Sequence, residues 1–110
     1  MDYVTICRES GLLEGEMANF VIRGREFVVV WPEGGELAAF DSFCPHQGVP
    51  LGQGHFNGQV LTCPAHQWVF DGVEGQGLNA DCQLKRYPLR IRDGLVEVKL
   101  IAFGELYDYE

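Results

Sequence analysis

Apolar positions along the chain recur with a period of two, and no long stripe at helical spacing interrupts them, which predicts strands. Phe20-Val21-Ile22 and the run Phe27 to Trp31 flank Arg23-Gly24-Arg25-Glu26, and the whole reads as a hairpin. Pro32-Glu33-Gly34-Gly35-Glu36 is a turn from which Leu37 to Phe43 returns as another strand. A short N-terminal strand holds Val4, Ile6 and Cys7, and Val60 to Thr62 forms another. Near the other end Leu89 and Ile91 alternate with Arg90 and Arg92. Asp93-Gly94 supplies the positive-φ pair of a tight turn. Val96, Val98 and Leu100 then alternate with Glu97 and Lys99, a strand with one buried and one wet face. The pattern predicts a small all-β domain built on antiparallel strands, with residues 1–110 as one unit.

The middle of the chain reads differently. From Cys44 to Cys82 it holds three of the four cysteines, all three histidines and many of the 14 glycines. Loops this long and this rich in glycine are usually functional, so residues 43–84 are expected to form a small subdomain carried by the outer β-scaffold.

Composition narrows the function. Eight basic against sixteen acidic residues give a formal charge of −8, the opposite of what a nucleic-acid binder needs. The longest apolar run is ended by Pro32 and cannot span a bilayer, and no basic-flanked apolar leader is visible. Two cysteines stand one or two residues from a histidine, which a disulfide framework does not require, so a cytoplasmic location is expected. The charge is also unevenly placed. Between Glu26 and Leu84 there is no Lys or Arg, while Glu26, Glu33, Glu36, Asp41, Asp71, Glu74 and Asp81 are all acidic.

Two motifs in this acidic stretch carry the chemistry, Cys44-Pro45-His46-Gln47-Gly48 and Cys63-Pro64-Ala65-His66-Gln67-Trp68. Each sets one soft thiolate beside one imidazole on a loop stiffened by proline. Each also follows a strand, so both loops can be presented at one end of a sheet. A common zinc finger would pair its cysteines in one knuckle and its histidines on a helix. Here the order alternates and no helix is predicted. Two loops gripping a 2Fe–2S unit from opposite sides explain the alternation, each giving its cysteine to one iron and its histidine to the other. A single zinc ion held by the same four residues is the alternative.

The spacing Cys44-x-His46, sixteen residues, Cys63-x-x-His66 resembles the signature of Rieske 2Fe–2S proteins, and Pro45, Gly48 and Pro64 extend the match. Cys-Pro-His-Gln, with an aromatic two residues after His66, is most similar to the ferredoxin component of toluene-type multicomponent monooxygenases. The resemblance implies a basal β-domain with a cluster-binding subdomain, and one 2Fe–2S cluster. It implies that Cys44 and Cys63 hold the buried iron, and that His46 and His66 hold the other and reach the surface. It further implies an electron carrier that is not itself an enzyme. Such a monomer would dock transiently, through its acidic face, with an NADH-dependent reductase and the di-iron hydroxylase of an aromatic monooxygenase. Alternatives are the ferredoxin of a ring-hydroxylating dioxygenase and the small subunit of a nitrite-reductase-type enzyme.

High-potential members carry two further cysteines that bridge the cluster loops, at positions filled here by Val49 and Ala65. They also carry a serine where Trp68 stands. Fewer hydrogen bonds to the sulfurs and an acidic setting both disfavour the added electron, so a low potential of roughly −150 mV is expected. Trp68 fits two roles equally, packing beside Phe70 or shielding the cluster and meeting a partner. Cys7 and Cys82 read as small buried residues, and His55 as a solvated loop histidine. Gly75-Gln76-Gly77 lacks the helix and lysine of a phosphate loop and reads as a third loop closing over the cluster.

Overall fold

The computed structural model describes residues 3–42, 54–63, 69–78 and 84–100. In chain order they form β1 (Tyr3–Arg8), a 3₁₀ turn (Glu9–Gly11), β2 (Met17–Ile22), β3 (Arg25–Val30), β4 (Ala38–Asp41), β5 (His55–Phe56), β6 (Val60–Thr62), β7 (Val69–Asp71), β8 (Arg86–Tyr87), β9 (Leu89–Arg92) and β10 (Leu95–Lys99). The strands pair antiparallel in three sheets, ordered β1-β10-β9, β2-β3-β4-β8 and β5-β6-β7. Among the described residues no helix is long and apolar enough to cross a membrane.

The uninterrupted apolar run of β3 makes sense because its sheet is buried on both faces. Phe27 and Val29 point to one side, where with Ala39, Tyr87, Val96 and Val98 they form one core. Val28 and Val30 point to the other, joining Ala38, Phe40, Phe56, Leu61, Cys63, Phe70 and Leu84 in a second core. The β2-β3-β4-β8 sheet is thus the middle of three layers. Phe20 stacks on Phe27 directly across the β2–β3 ladder, with centroids 5.7 Å apart, and Tyr87 meets Phe27 edge-on.

Both expected tight turns form, with one difference in length. Asp93 and Gly94 have φ of 55° and 77°, as a two-residue hairpin turn of the primed kind requires. The β2–β3 turn is likewise only two residues long, Arg23 and Gly24, with φ of 55° and 76°. Arg25 and Glu26, expected in the turn, belong to β3 and pair with Ile22 and Val21. Ile91 shows the limit of alternation at a sheet edge. It lies opposite Val96, yet it is 44% exposed because β9 is the edge of its sheet.

Candidate metal centre

Each of the two motifs follows a strand, but the strands belong to different layers. The first motif follows β4 of the middle sheet, and the second follows β6 of the small outer sheet. The expectation of one sheet presenting both loops is therefore corrected: the two strands belong to different sheets and both contribute to the second core, Ala38 and Phe40 from one and Leu61 from the other. Period-two alternation directs the side chains there. Leu61 and Cys63 share one face of the β6 segment, and both are 0% exposed in the same cluster as Phe40 and Phe70. Cys63 consequently offers its sulfur from the interior side of the loop, sealed from water. Cys44, His46 and His66 lie outside the described residues, as do Pro45, Gly48, Val49, Pro64, Ala65, Trp68, Asp81 and Cys82. Among the described residues no three His, Cys, Asp or Glu side chains converge as a metal site.

The segment leading to Cys44 is fastened on both edges. The Asp41 N–H donates to the Lys85 carbonyl at 2.8 Å, and the Ser42 N–H donates to the Glu26 carbonyl at 3.1 Å. Below them the buried Tyr87 hydroxyl donates to Asp41 Oδ1 at 3.2 Å. Burial, and then the Asp41 charge, push the Tyr87 phenol up to about 12. Ser42 has no exposed surface, and its hydroxyl has no hydrogen-bond partner among the described residues.

Beyond β7 the chain makes a tight turn organised by Asp71. Its Oδ1 accepts the N–H groups of Val73 (2.9 Å) and Glu74 (2.6 Å), and its Oδ2 accepts that of Gln76 (3.0 Å). Gly75 closes the turn at φ 77°, its N–H donating to the Asp71 carbonyl and its carbonyl accepting from Leu84 N–H. A Cβ there would lie 2.8 Å from the Phe40 ring and 2.9 Å from Leu84 Cβ. Gly75 therefore serves a close approach between the small sheet and the middle one. The pattern Asp-Gly-x-x-Gly, with a side chain that mimics a turn, is the signal that would have found the role of Asp71.

Of the remaining residues singled out, His55 is exposed as expected, although it sits in β5 opposite Thr62 and not in a loop. Cys7 is half-buried against the first core, and burial raises its thiol pKa. The acidic stretch is also less uniform than its sequence. Asp41 and Asp71 are engaged inside the fold, while Glu33, Glu36 and Glu74 are exposed.

A buried thiol at the end of a strand and a buried hydroxyl without a partner are the donor chemistry that an iron–sulfur group would complete. An unpaired buried hydroxyl costs about 1–3 kcal/mol, and sulfur acceptors would remove that cost. Comparison with known proteins agrees. The chain is 40% identical over 98 residues to the ferredoxin component of the alkene monooxygenase system of Xanthobacter autotrophicus, covering 87% of this chain and 80% of that one. It is 32% identical over 93 residues to the ferredoxin component of the naphthalene 1,2-dioxygenase system of Pseudomonas putida, covering 83% and 88%. Its fold matches a chain in a complex of reduced oxygenase and oxidized ferredoxin in carbazole 1,9a-dioxygenase, with a TM-score of 0.78, 23% identity, and 90% and 97% of the two chains covered. The family model of the Rieske [2Fe-2S] domain matches residues 2–91, so with its three antiparallel sheets and its interior cysteine this chain belongs to the Rieske [2Fe-2S] family and takes one 2Fe–2S cluster as its cofactor.

Proposed function

We propose that this chain is a low-potential Rieske ferredoxin. It carries single electrons from an NADH-dependent reductase to the hydroxylase of a multicomponent monooxygenase, of the toluene-type di-iron class, and it performs no substrate chemistry of its own. Cys44 and Cys63 hold the inner iron, and His46 and His66 the outer one. When bound, the cluster supplies one reversible one-electron step. The chain's own residues hold it between two layers, with Leu61, Phe70 and Phe40 excluding water from Cys63. Residues 43–84 act as the cluster-binding subdomain, and Gly75-Gln76-Gly77 begins its third loop.

The observation that carries this reading is Cys63, sealed in the core between the middle and outer sheets at the first residue of the second motif. The choice of a monooxygenase is supported by 40% identity to a monooxygenase ferredoxin component, against 32% to that of a dioxygenase. A second reading, service to a ring-hydroxylating dioxygenase, is supported by the naphthalene relative and by the fold shared with the carbazole complex. Reconstitution separates the two. The purified protein with an NADH-dependent reductase restores turnover to a di-iron hydroxylase on the first reading, and only to a dioxygenase on the second.

A shuttle must also release each partner. A monomer in the cytoplasm, docking through less than about 1,200 Å² with charge guiding the encounter, meets that need. Glu74, exposed and three residues beyond β7, is an acidic group close in sequence to His66 that can contribute to such an encounter, whereas the Asp71 carboxylate organises the turn. The midpoint potential on this account is roughly −150 mV, and a value well above zero contradicts the low-potential assignment.

A further inference from the structure

Along β4 the side chains alternate between the two cores. Ala39 joins Tyr87 on one face, while Ala38 and Phe40 join Leu61, Cys63 and Phe70 on the other. The ladder to β3 continues one residue past Asp41, through the Ser42 N–H and the Glu26 carbonyl. Ser42 therefore keeps the register of Ala38 and Phe40 and belongs to the face that holds Cys63. Only Phe43 separates it in sequence from Cys44. It is also the one buried side chain among the described residues whose polar atom lacks a partner. Nothing in local propensity demands a serine there, since the neighbouring inward positions are Phe40 and Ala38. A hydroxyl kept dry at that point would be satisfied by an acceptor that arrives with the cofactor.

We propose that the Ser42 hydroxyl donates a hydrogen bond to a sulfur, thiolate or sulfide, on the cysteine side of the bound cluster and so sets part of its reduction potential. The proposal rests on the assignment of Cys44 and Cys63 as ligands. Ser42 is a positioning and tuning residue, because it holds no iron and meets no redox partner. A donor to sulfur stabilises the reduced cluster, which carries one more negative charge, more than the oxidised one. The bond therefore raises the potential above what the acidic, bridge-free loops would give alone. With the acceptor in place the hydroxyl is no longer a buried unpaired group.

The test compares wild type with Ser42→Ala, both loaded and with iron and sulfide counted first. Ser42→Ala is expected to load normally and to be harder to reduce by about tenfold in the electron-transfer equilibrium constant, which for one electron is about 59 mV. In pulsed EPR of the reduced protein, a proton coupling that exchanges in D₂O should be present in wild type and absent in Ser42→Ala. Resonance Raman then names the acceptor, because the iron–thiolate or the iron–sulfide modes will shift, according to which sulfur loses its donor. An unmoved potential with the exchangeable coupling retained would overturn the proposal. If Ser42→Ala does not load, Ser42→Gly removes the hydroxyl with less bulk. Failure of both to load would also overturn it, since a tuning hydrogen bond is not needed for assembly. A wild-type protein without iron would instead remove the ligand assignment itself, so the two failures are distinguishable.

Discussion

The face of the middle sheet that meets β1, β9 and β10 closes on hydrocarbon and one tyrosine, whereas the face that meets β5, β6 and β7 closes around a cysteine and a serine. On the first face every demand is met from within the chain. Phe27, Val29, Val96 and Val98 are fully buried, and the one polar side-chain atom among the fully buried residues of this core, the Tyr87 hydroxyl, is satisfied by Asp41. On the second face Leu61, Phe70 and Phe40 are packed as well, but a cysteine sulfur lies in the interior and the Ser42 hydroxyl has no partner among the described residues. The first face is what a small β-domain needs in order to fold. On the proposed ligand assignment the second is the wall against which the cluster would sit. An electron carrier gains from this division, because a rigid self-contained base holds the cluster loops still while charge arrives and leaves.

The sharpest way to break the comparison is to exchange one cysteine on each face. Cys63→Ala should abolish iron binding and visible colour outright. Cys7→Ser, on the base, should retain two irons and two sulfides per chain. Iron and sulfide analysis of the two purified variants reads the outcome, and equal loss in both would erase the distinction.

Two glycines with the same backbone conformation sharpen it further. Gly75 and Gly94 both have φ 77°, but an added Cβ at Gly94 meets nothing within 4 Å, while at Gly75 it runs into Phe40 and Leu84. Gly94→Ala should lose about 1–2 kcal/mol for the left-handed backbone alone. Gly75→Ala should lose a further 1–3 kcal/mol or so through overpacking, and should load less cluster as the layers part. Denaturant midpoints of the two variants, with iron content alongside, check both effects.

Much of the base is legible in the sequence itself, and the reason is local chemistry. Asp93-Gly94 names its own turn type, and Val96, Val98 and Leu100 declare a buried face by strict alternation. The four ligand candidates were legible for the same reason, as each motif is a short run of adjacent residues. Relations between distant segments were not. Nothing near Tyr87 in the sequence points to Asp41, 46 residues away. Nor could two short apolar strands, Ala38–Asp41 and Val60–Thr62, announce that they lie in different layers. The 44% exposure of Ile91 is not legible either, because alternation reports which face a residue takes, and not whether anything covers that face at a sheet edge. Ser42 carried no local signal at all. Its meaning comes from being buried without a partner among the described residues, which only packing reveals.

A smaller effect tests the base through pH. The Tyr87 phenol, raised by burial and then by Asp41 to about 12, stays neutral in the folded chain while the unfolded chain titrates near 10. Its contribution is fully present below pH 10 and is lost as the pH rises from 10 to 12. Tyr87→Phe should flatten the fall of stability across that window, at a cost near neutrality of about 0.5–1.5 kcal/mol for the lost hydrogen bond. Unfolding curves on either side of pH 10 give the slopes, and identical slopes in the two proteins would contradict the assignment.

The smallest expected effect lies at the acidic surface. Glu74→Gln should slow partner encounter modestly and weaken its salt dependence while leaving the cluster spectrum unchanged, since screening acts over about 8 Å at physiological ionic strength. Asp71→Asn should behave differently. Its carboxylate organises a turn, so stability falls and steering is not selectively altered. Turnover at limiting ferredoxin across a salt titration distinguishes the two, and wild-type rates that stay flat with salt would leave apolar contact as the basis of recognition.

The EPR spectrum of the reduced protein tests the central claim most directly, namely that two loops from two layers each give one cysteine and one histidine to a 2Fe–2S cluster. Mixed thiolate and imidazole ligation predicts a low-average-g signal integrating to one electron per two irons. A colourless protein holding one zinc and giving no signal, or a signal of the all-cysteine type, would contradict it.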